Sequence, residues 1–216
     1  MINLLIMGKP GAGKGTQAKK ILDHFELTHV STGEIYREEI KKGSYIGQEA
    51  KKYLDQGNLV PDKMTNDIVR VVLSTTEFEN GFMLDGYPRT IAQADALDEM
   101  LNKRNISLTA VINVDVDDDI ISDRMSGRRV CSNCGETYHL EYHPPKIDGI
   151  CDVCGHELIQ RPDDLKESVL NRLKIYKNKT QPLLDYYEKK NLLLVIDGEK
   201  SSDQVFEDIL KKLGEL

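Results

Sequence analysis

The apolar run Ile2–Met7 passes directly into Gly8-Lys9-Pro10-Gly11-Ala12-Gly13-Lys14-Gly15-Thr16, and a helical pattern follows as far as Phe25. A buried strand, a glycine-rich turn and a helix, in that order, leave few folds open to the chain. Successive backbone N–H groups in such a turn converge on a concave anion site, and the N-terminus of the helix adds partial positive charge. Lys14 supplies a mobile cation for the outer phosphates, and the glycines let backbone approach a ligand without a Cβ in the way. The segment therefore predicts a phosphate-binding loop for a nucleoside triphosphate. A plain strand-to-helix turn would need neither the repeated glycine nor the lysine. One detail is unusual: Gly15 follows Lys14 where a hydroxyl is expected, and the hydroxyl comes at Thr16.

The rest of the chain repeats this rhythm. Short apolar runs at Ile2–Met7, Thr28–Ser31, Phe82–Asp85, Ala110–Val114 and Leu192–Ile196 lack polar alternation, as expected of strands covered on both faces. Helical patterns fill the intervals: Lys14–Phe25, Gly33–Lys42, Tyr45–Gln56, Pro61–Thr75, Ile91–Asn105, Asp117–Ser126, Leu165–Lys189 and Ser202–Leu213. The alternation predicts an α/β fold with a parallel sheet, whose ligands sit beyond the carboxyl ends of the strands. At 216 residues, with 39 % hydrophobic and 30 % charged side chains, the chain is long enough for a full core. Its net charge of −7 disfavours a protein that coats nucleic acid through bulk charge. No apolar stretch is long enough to span a membrane and no secretory leader is visible, so a cytoplasmic protein is expected.

Two stretches interrupt the rhythm. Residues 31–60 hold two consecutive helices, a helical insertion. Residues 127–164 hold all four cysteines together with Pro144-Pro145 and several glycines, and form a small subdomain. Cys131 and Cys134, then Cys151 and Cys154, are two CxxC pairs with the spacing of a closed tetrahedral zinc site. Two disulfides and a redox CxxC are the other readings. The expected compartment disfavours the first, and the second needs no second pair. Iron is held by the same kind of sulfur set. Four thiolates leave no open position, so the ion is expected to be structural.

Further motifs carry charge toward the loop. Phe82-Met83-Leu84-Asp85-Gly86-Tyr87-Pro88-Arg89 ends a strand in a carboxylate suited to orienting a Mg²⁺-bound water, with a guanidinium just beyond. Ser31-Thr32-Gly33-Glu34 opens a helix, where Ser31 reads equally as a cap, and Arg37 follows one turn on. Asp123-Arg124 and Gly127-Arg128-Arg129 enter the cysteine segment, Arg161-Pro162-Asp163-Asp164 leaves it, and Arg172 lies in the next helix. Arginines at both ends of one insertion converge if the insertion folds over the loop as a lid, and their planar forks suit phosphate.

Together these segments resemble the adenylate kinases, in the long-lid bacterial form with a zinc-binding lid, and the resemblance runs from the first strand to the last helix. It implies a P-loop kinase fold: a five-stranded parallel sheet flanked by helices, with a helical AMP-binding insertion (31–60) and a zinc-ribbon-like lid (127–164) on a core of 1–30, 61–126 and 165–216. It implies reversible Mg²⁺-dependent phosphoryl transfer from ATP to AMP giving two ADP, a structural Zn²⁺ at Cys131, Cys134, Cys151 and Cys154, and a monomer without nucleic-acid or membrane partners. Gly11, Ala12, Gly13, Lys14, Gly15 and Thr16 match the ATP loop, with Arg128, Thr137, Tyr138 and Lys200 completing that site. Thr32, Arg37, Asn58, Leu59, Val60, Gly86, Tyr87, Pro88, Arg89, Gln93, Arg161 and Arg172 match the AMP site. Lys14, Asp85, Arg89, Arg124, Arg128, Arg161 and Arg172 match the catalytic groups, and Asp163 and Asp164 the hinge carboxylates of the lid. Tyr36 departs from the pattern, standing where a smaller aliphatic residue is expected beside the adenine. A P-loop kinase for UMP, CMP or GMP is the nearest rival, disfavoured by the cysteine lid and by Thr32 and Gln93. A nucleic-acid-binding zinc ribbon on an ATPase is a second, disfavoured by the acidic chain.

Overall fold

The computed structural model describes residues 1–215. Its central strand is β1 (Ile2–Gly8), flanked by β3 (Gly81–Asp85) and β4 (Ala110–Asp115), with β2 (Thr28–Ser31) and β8 (Leu193–Asp197) at the edges. The order is β2-β3-β1-β4-β8 and every pairing is parallel. Alternate side chains of β1 enter opposite cores, as the pleat requires. Leu4 and Ile6 join α1 (Lys14–Phe25), α6 (Asp118–Gly127) and α9 (Ser202–Gly214) on one face. Leu5 and Met7 join α4 (Asp62–Thr75), α5 (Ile91–Asn102) and α8 (Pro182–Glu188) on the other. The chain runs from β1 to β2 in one direction across the sheet and from neighbouring β3 to β4 in the other, so a crevice opens at the carboxyl ends of β1 and β3, where the glycine loop begins.

The insertion consists of α2 (Thr32–Lys42) and α3 (Tyr45–Leu54). Ser31 does cap α2, its hydroxyl accepting the Glu34 N–H at 3.4 Å. Gly47 lets α3 lie directly on the backbone of Glu39, where a Cβ would collide. Tyr36, Ala50 and Val60 form a separate small core beneath the insertion.

The long helix expected over Leu165–Lys189 is instead three pieces. A 3₁₀ turn at Pro162–Asp164 precedes α7 (Lys166–Ile175), and a π turn at Tyr176–Thr180 separates α7 from α8. Pro182 has no N–H to continue an α-helical ladder, and Gln181 N bonds back to the Tyr176 carbonyl, five residues away. The widened turn lets Thr180 Oγ1 donate to the Arg89 carbonyl at 2.9 Å. The cysteine segment forms its own antiparallel sheet of β5 (Arg128–Cys131), β6 (Thr137–His139) and β7 (Leu158–Ile159), in the order β6-β5-β7. α6 ends at Gly127, where the His139 ring packs so closely that it leaves no room for a Cβ. Among the described residues no helix is long and apolar enough to cross a membrane.

Candidate active site

The loop between β1 and α1 is shaped by left-handed backbone. Gly13, at the N-cap of α1, has φ +90° with open space around it, so glycine is required there by conformation and not by crowding. Gly11 (φ +81°) is required by crowding as well, since a Cβ would meet Met125 of α6 at 2.8 Å. Among the described residues no side chain caps α1, and its first turn holds no acid, which leaves its N–H groups available to an anion. Gly15 and Thr16 are exposed at the same end. Lys14 Nζ curls back to donate to the carbonyls of Gly8 (2.9 Å) and Lys9 (2.7 Å). Burial pulls its pKa down to about 7, helped by Arg89, Arg172 and Arg128 and opposed by Asp85.

Parallel register sets Asp85 beside Ile6, at the carboxyl end of β3 and next to the loop. Gly86 then turns the chain (φ +76°), and its carbonyl accepts from both Thr32 Oγ1 and Arg89 Nε, each at 2.9 Å. The Tyr87–Pro88 peptide is cis. Tyr87 is buried, its hydroxyl donating toward Asn66 Oδ1 (2.8 Å) and the Gln93 carbonyl (3.0 Å), so it braces the turn from behind. An open cleft joins Gly8, Lys14, Leu59, Gly86, Pro88, Arg89 and Arg172.

A cluster of arginines and carboxylates adjoins this cleft through Arg172. Arg128 forks onto both oxygens of Asp164, with Nε at 2.7 Å from Oδ2. Arg172 reaches Asp163 Oδ2 at 2.6 Å and Asp164 Oδ1 at 3.5 Å. Asp164 is buried. Burial would raise Asp163, but Arg172, Arg128, Arg161 and Arg37 outweigh it and hold its carboxyl below the usual range. Arg161 is depressed to about 9 by burial and by Arg37 and Arg128, and its buried Nε has no hydrogen-bond partner among the described residues. Burial also lowers Arg172 to about 10 and depresses Arg89. Arginine keeps its proton in proteins, so these depressions measure how unfavourable the cations are without a further anion. Arg37 is exposed at the rim, its guanidinium against Gly33. On the outer side Lys19 of α1 pairs with Glu136 of the lid at 2.9 Å.

Several expected residues stand elsewhere. Arg124 does not bond within the carboxylate–arginine cluster around Asp163 and Asp164; it donates to the Gly198 carbonyl at 3.0 Å, beyond the end of β8. Tyr138 is buried inside the lid, where its hydroxyl accepts the Asp152 N–H (2.8 Å) and lies 3.5 Å from Cys151 Sγ, so its side chain belongs to the cysteine site. Thr137 is exposed beside it. The Lys200 ammonium turns to Asp208 at 2.7 Å. Asn58 bonds to Asn171 of α7 at 2.9 Å, and Val60 is buried with Tyr36, whose hydroxyl pairs with Thr65 Oγ1 at 2.9 Å.

The four sulfurs of Cys131, Cys134, Cys151 and Cys154 lie within 4.8 Å of one another, and none is in a disulfide. A tetrahedral ion with metal–sulfur bonds of about 2.3 Å needs sulfurs about 3.8 Å apart, so the set fits one. Burial pushes the Cys151 thiol up, but hydrogen bonds from Tyr138 and the Cys154 and Val153 amides outweigh it and bring it to about 6, toward the ligating thiolate.

Comparison with known proteins accords with this arrangement. Residues 6–192 match the family model described as adenylate kinase. The chain belongs to the adenylate kinase family. It is 53 % identical over 212 residues to an adenylate kinase of Caldanaerobacter subterraneus subsp. tengcongensis, covering 98 % of this chain and 96 % of that one. The adenylate kinases of Geobacillus sp. (strain WCH70), 51 % identical over 215 residues, and Limosilactobacillus reuteri, 53 % over 216, are each covered along 100 % of both chains. The close set of four cysteines fits a zinc-binding lid.

Three contacts at this site were not readable from motifs. Lys9 bonds the Val116 carbonyl (2.8 Å) and pairs with Asp118 (2.7 Å), stapling the loop to the start of α6. His29 lies between Glu34 (3.5 Å) and Asp85 (3.9 Å). Asp62 holds the amide of Gln93 at 2.8 Å. Each joins residues remote in sequence, and a charged residue at a turn or helix start is the one signal available beforehand.

Proposed function

We propose that the chain catalyses reversible transfer of the terminal phosphoryl of MgATP to AMP, giving two ADP. The observation that carries this is the crowd of cations at one mouth: Lys14, Arg89, Arg161 and Arg172, each depressed first by burial, with Arg128 beside them on Asp164. Two phosphate chains meeting there offer these cations further anionic partners. Gly11–Thr16 hold the ATP phosphates. Arg37 and Arg89 hold the AMP phosphate, with Thr32, Gln93, Leu59 and Val60 around its base. Arg128, Arg161 and Arg172 neutralise the phosphoryl in transit, whose charge spreads over three oxygens. Thr137, with Tyr138 and Lys200 largely through their backbone, serves the base of ATP. The acceptor is already a phosphate anion, so no general base is required. Closure of residues 127–164 over the site excludes water, which would otherwise take the phosphoryl.

Mg²⁺ bound to ATP neutralises the phosphate oxygens, and Asp85 is the carboxylate placed to orient its water. Cys131, Cys134, Cys151 and Cys154 would hold Zn²⁺, which fixes a segment with a core of only a few side chains and leaves no coordination position for chemistry. Free cysteines support a cytoplasmic setting, and we assign a monomer. The test is incubation with MgATP and each of AMP, CMP, UMP and GMP while diphosphate formation is followed. Rapid ADP production with AMP alone is expected. Activity with another monophosphate would move the specificity, and no transfer at all would overturn the reading of the cation cluster.

A further inference from the structure

Asp62 stands at the first position of α4 and faces the start of α5. Its Oδ1 accepts from Gln93 Nε2 at 2.8 Å, and its Oδ2 accepts from Thr90 Oγ1 at 3.1 Å. The other end of the Gln93 amide is held as firmly: Oε1 accepts the backbone N–H of Arg89 at 2.7 Å. Gln93 is 2 % exposed, so the amide itself is buried, while Asp62 is half-buried. Thr90 caps α5 by accepting the Gln93 N–H at 3.2 Å, and Tyr87 bonds the Gln93 carbonyl, so the backbone carrying the amide is fixed too.

We propose that Asp62 is a positioning residue that fixes which way the Gln93 amide faces and so selects a 6-amino over a 6-oxo purine in the monophosphate acceptor. The proposal rests on the reading above that Gln93 meets the acceptor base. A primary amide is nearly symmetric in shape, and a half-turn exchanges its donor for its acceptor. Adenine presents an acceptor at N1 and a donor on its 6-amino group, whereas hypoxanthine and guanine present the reverse, a donor at N1 and an acceptor at O6. A freely turning glutamine serves either base. Here the half-turn would set Oε1 against the Asp62 carboxylate, acceptor on acceptor, and Nε2 against the Arg89 N–H, donor on donor. Opposed polar groups out of water lose their hydrogen bonds without replacement. The amide therefore keeps one unused hydrogen on Nε2 and one unused lone pair on Oε1, the complement of adenine. Asp62 supplies the half of this lock that a side-chain change can release. Asparagine or serine at that position both donate and accept, so either tolerates both amide orientations.

The experiment compares AMP with inosine monophosphate as acceptors of phosphoryl from MgATP. The two differ only at ring positions 1 and 6. Wild type, Asp62→Asn, Asp62→Ser and Gln93→Leu are compared by kcat/KM for each acceptor, with thermal melts to establish folding. Asp62→Asn and Asp62→Ser are expected to lower the AMP-to-IMP ratio at least tenfold, through a rise in kcat/KM for IMP that enters by KM. A merely structural role would lower both acceptors together, and an unchanged ratio in the folded variants overturns the proposal. If one of the two fails to fold, the other decides. Gln93→Leu separates the proposal from the reading beneath it. A ratio unchanged by that substitution means Gln93 does not meet the base, and both fall. A ratio that collapses in Gln93→Leu but holds in the Asp62 variants keeps the reading and removes the lock.

Discussion

Lys14 offers a way to weigh the cation cluster. With the ligand absent its pKa lies at about 7, the cause being burial and then three neighbouring arginines. Arrival of a phosphate chain returns an anion to the ammonium and carries the pKa back toward the 10.5 of an ordinary lysine. At pH 8 a group with pKa 7 is about one-tenth protonated and a group near 10.5 fully so, and nucleotide binding should then take up roughly 0.9 of a proton. At pH 6 the free site is already charged and the uptake falls to about 0.1. The sign follows: uptake means that affinity falls as pH rises, approaching tenfold per pH unit above 7 through this one group. Calorimetry of ADP binding in buffers of different ionisation enthalpy measures the uptake directly. At pH 8 the phosphates of the nucleotide are ionised and do not confuse the count. Lys14→Met should abolish the uptake while weakening binding. An uptake below about 0.3 at pH 8, or one equal in wild type and Lys14→Met, would refute burial as the force acting on this lysine.

Other perturbations test separate parts of the site. Arg128→Ala and Arg172→Ala should each slow turnover by about 10³ or more while changing ATP affinity far less, since the charge they meet peaks in transit; near-normal kcat in both would remove them from the chemistry. Stripping the metal with a chelator should loosen residues 127–164 before the core, read as faster amide exchange in that segment at a temperature where β1 stays protected. Unchanged exchange after verified metal loss would refute a structural ion. Tyr87→Phe removes a buried hydroxyl that donates to Asn66 and the Gln93 carbonyl, and should cost about 1–3 kcal/mol in a urea melt. Lys19→Ala breaks an exposed lid contact and should cost under about 1 kcal/mol in the same melt.

What was legible in the chain was local. The glycine loop declares itself because strand, turn and helix must follow one another in sequence, and the cysteine pairs because metal spacing is a property of short segments. Burial on both faces of the sheet was readable from unbroken apolar runs such as Leu4–Met7. The π turn at Tyr176–Thr180 was not, since a 3.6-residue period continues through it nearly unaltered and only Pro182 hints at the break. Arg124 shows the other limit. Its place on α6 was plain, but which neighbour that face would meet depends on how β8 ends, and Gly198 lies 74 residues on. Tyr138 likewise turned inward because the lid has few apolar side chains with which to build a core. Asp62 and Gln93 are 31 residues apart, on two helices that come together only through the second core.

The carboxylates of Asp163 and Asp164 give the site one more property. Arg128 and Arg172 are not bare before a nucleotide arrives; each already holds a carboxylate of the chain. On the function proposed above, binding is then an exchange of partners within the protein more than a recruitment of an anion to free cations, and few bulk anions should be displaced when it happens. Ionic strength acts on binding through the ions released, so this cleft should be less sensitive to salt than its count of arginines suggests. The same exchange keeps the empty cleft from collecting stray phosphate, because a single anion must outcompete a buried neighbour already in contact. Asp164 need not be stranded when Arg128 swings away, for Arg172 waits 3.5 Å from it.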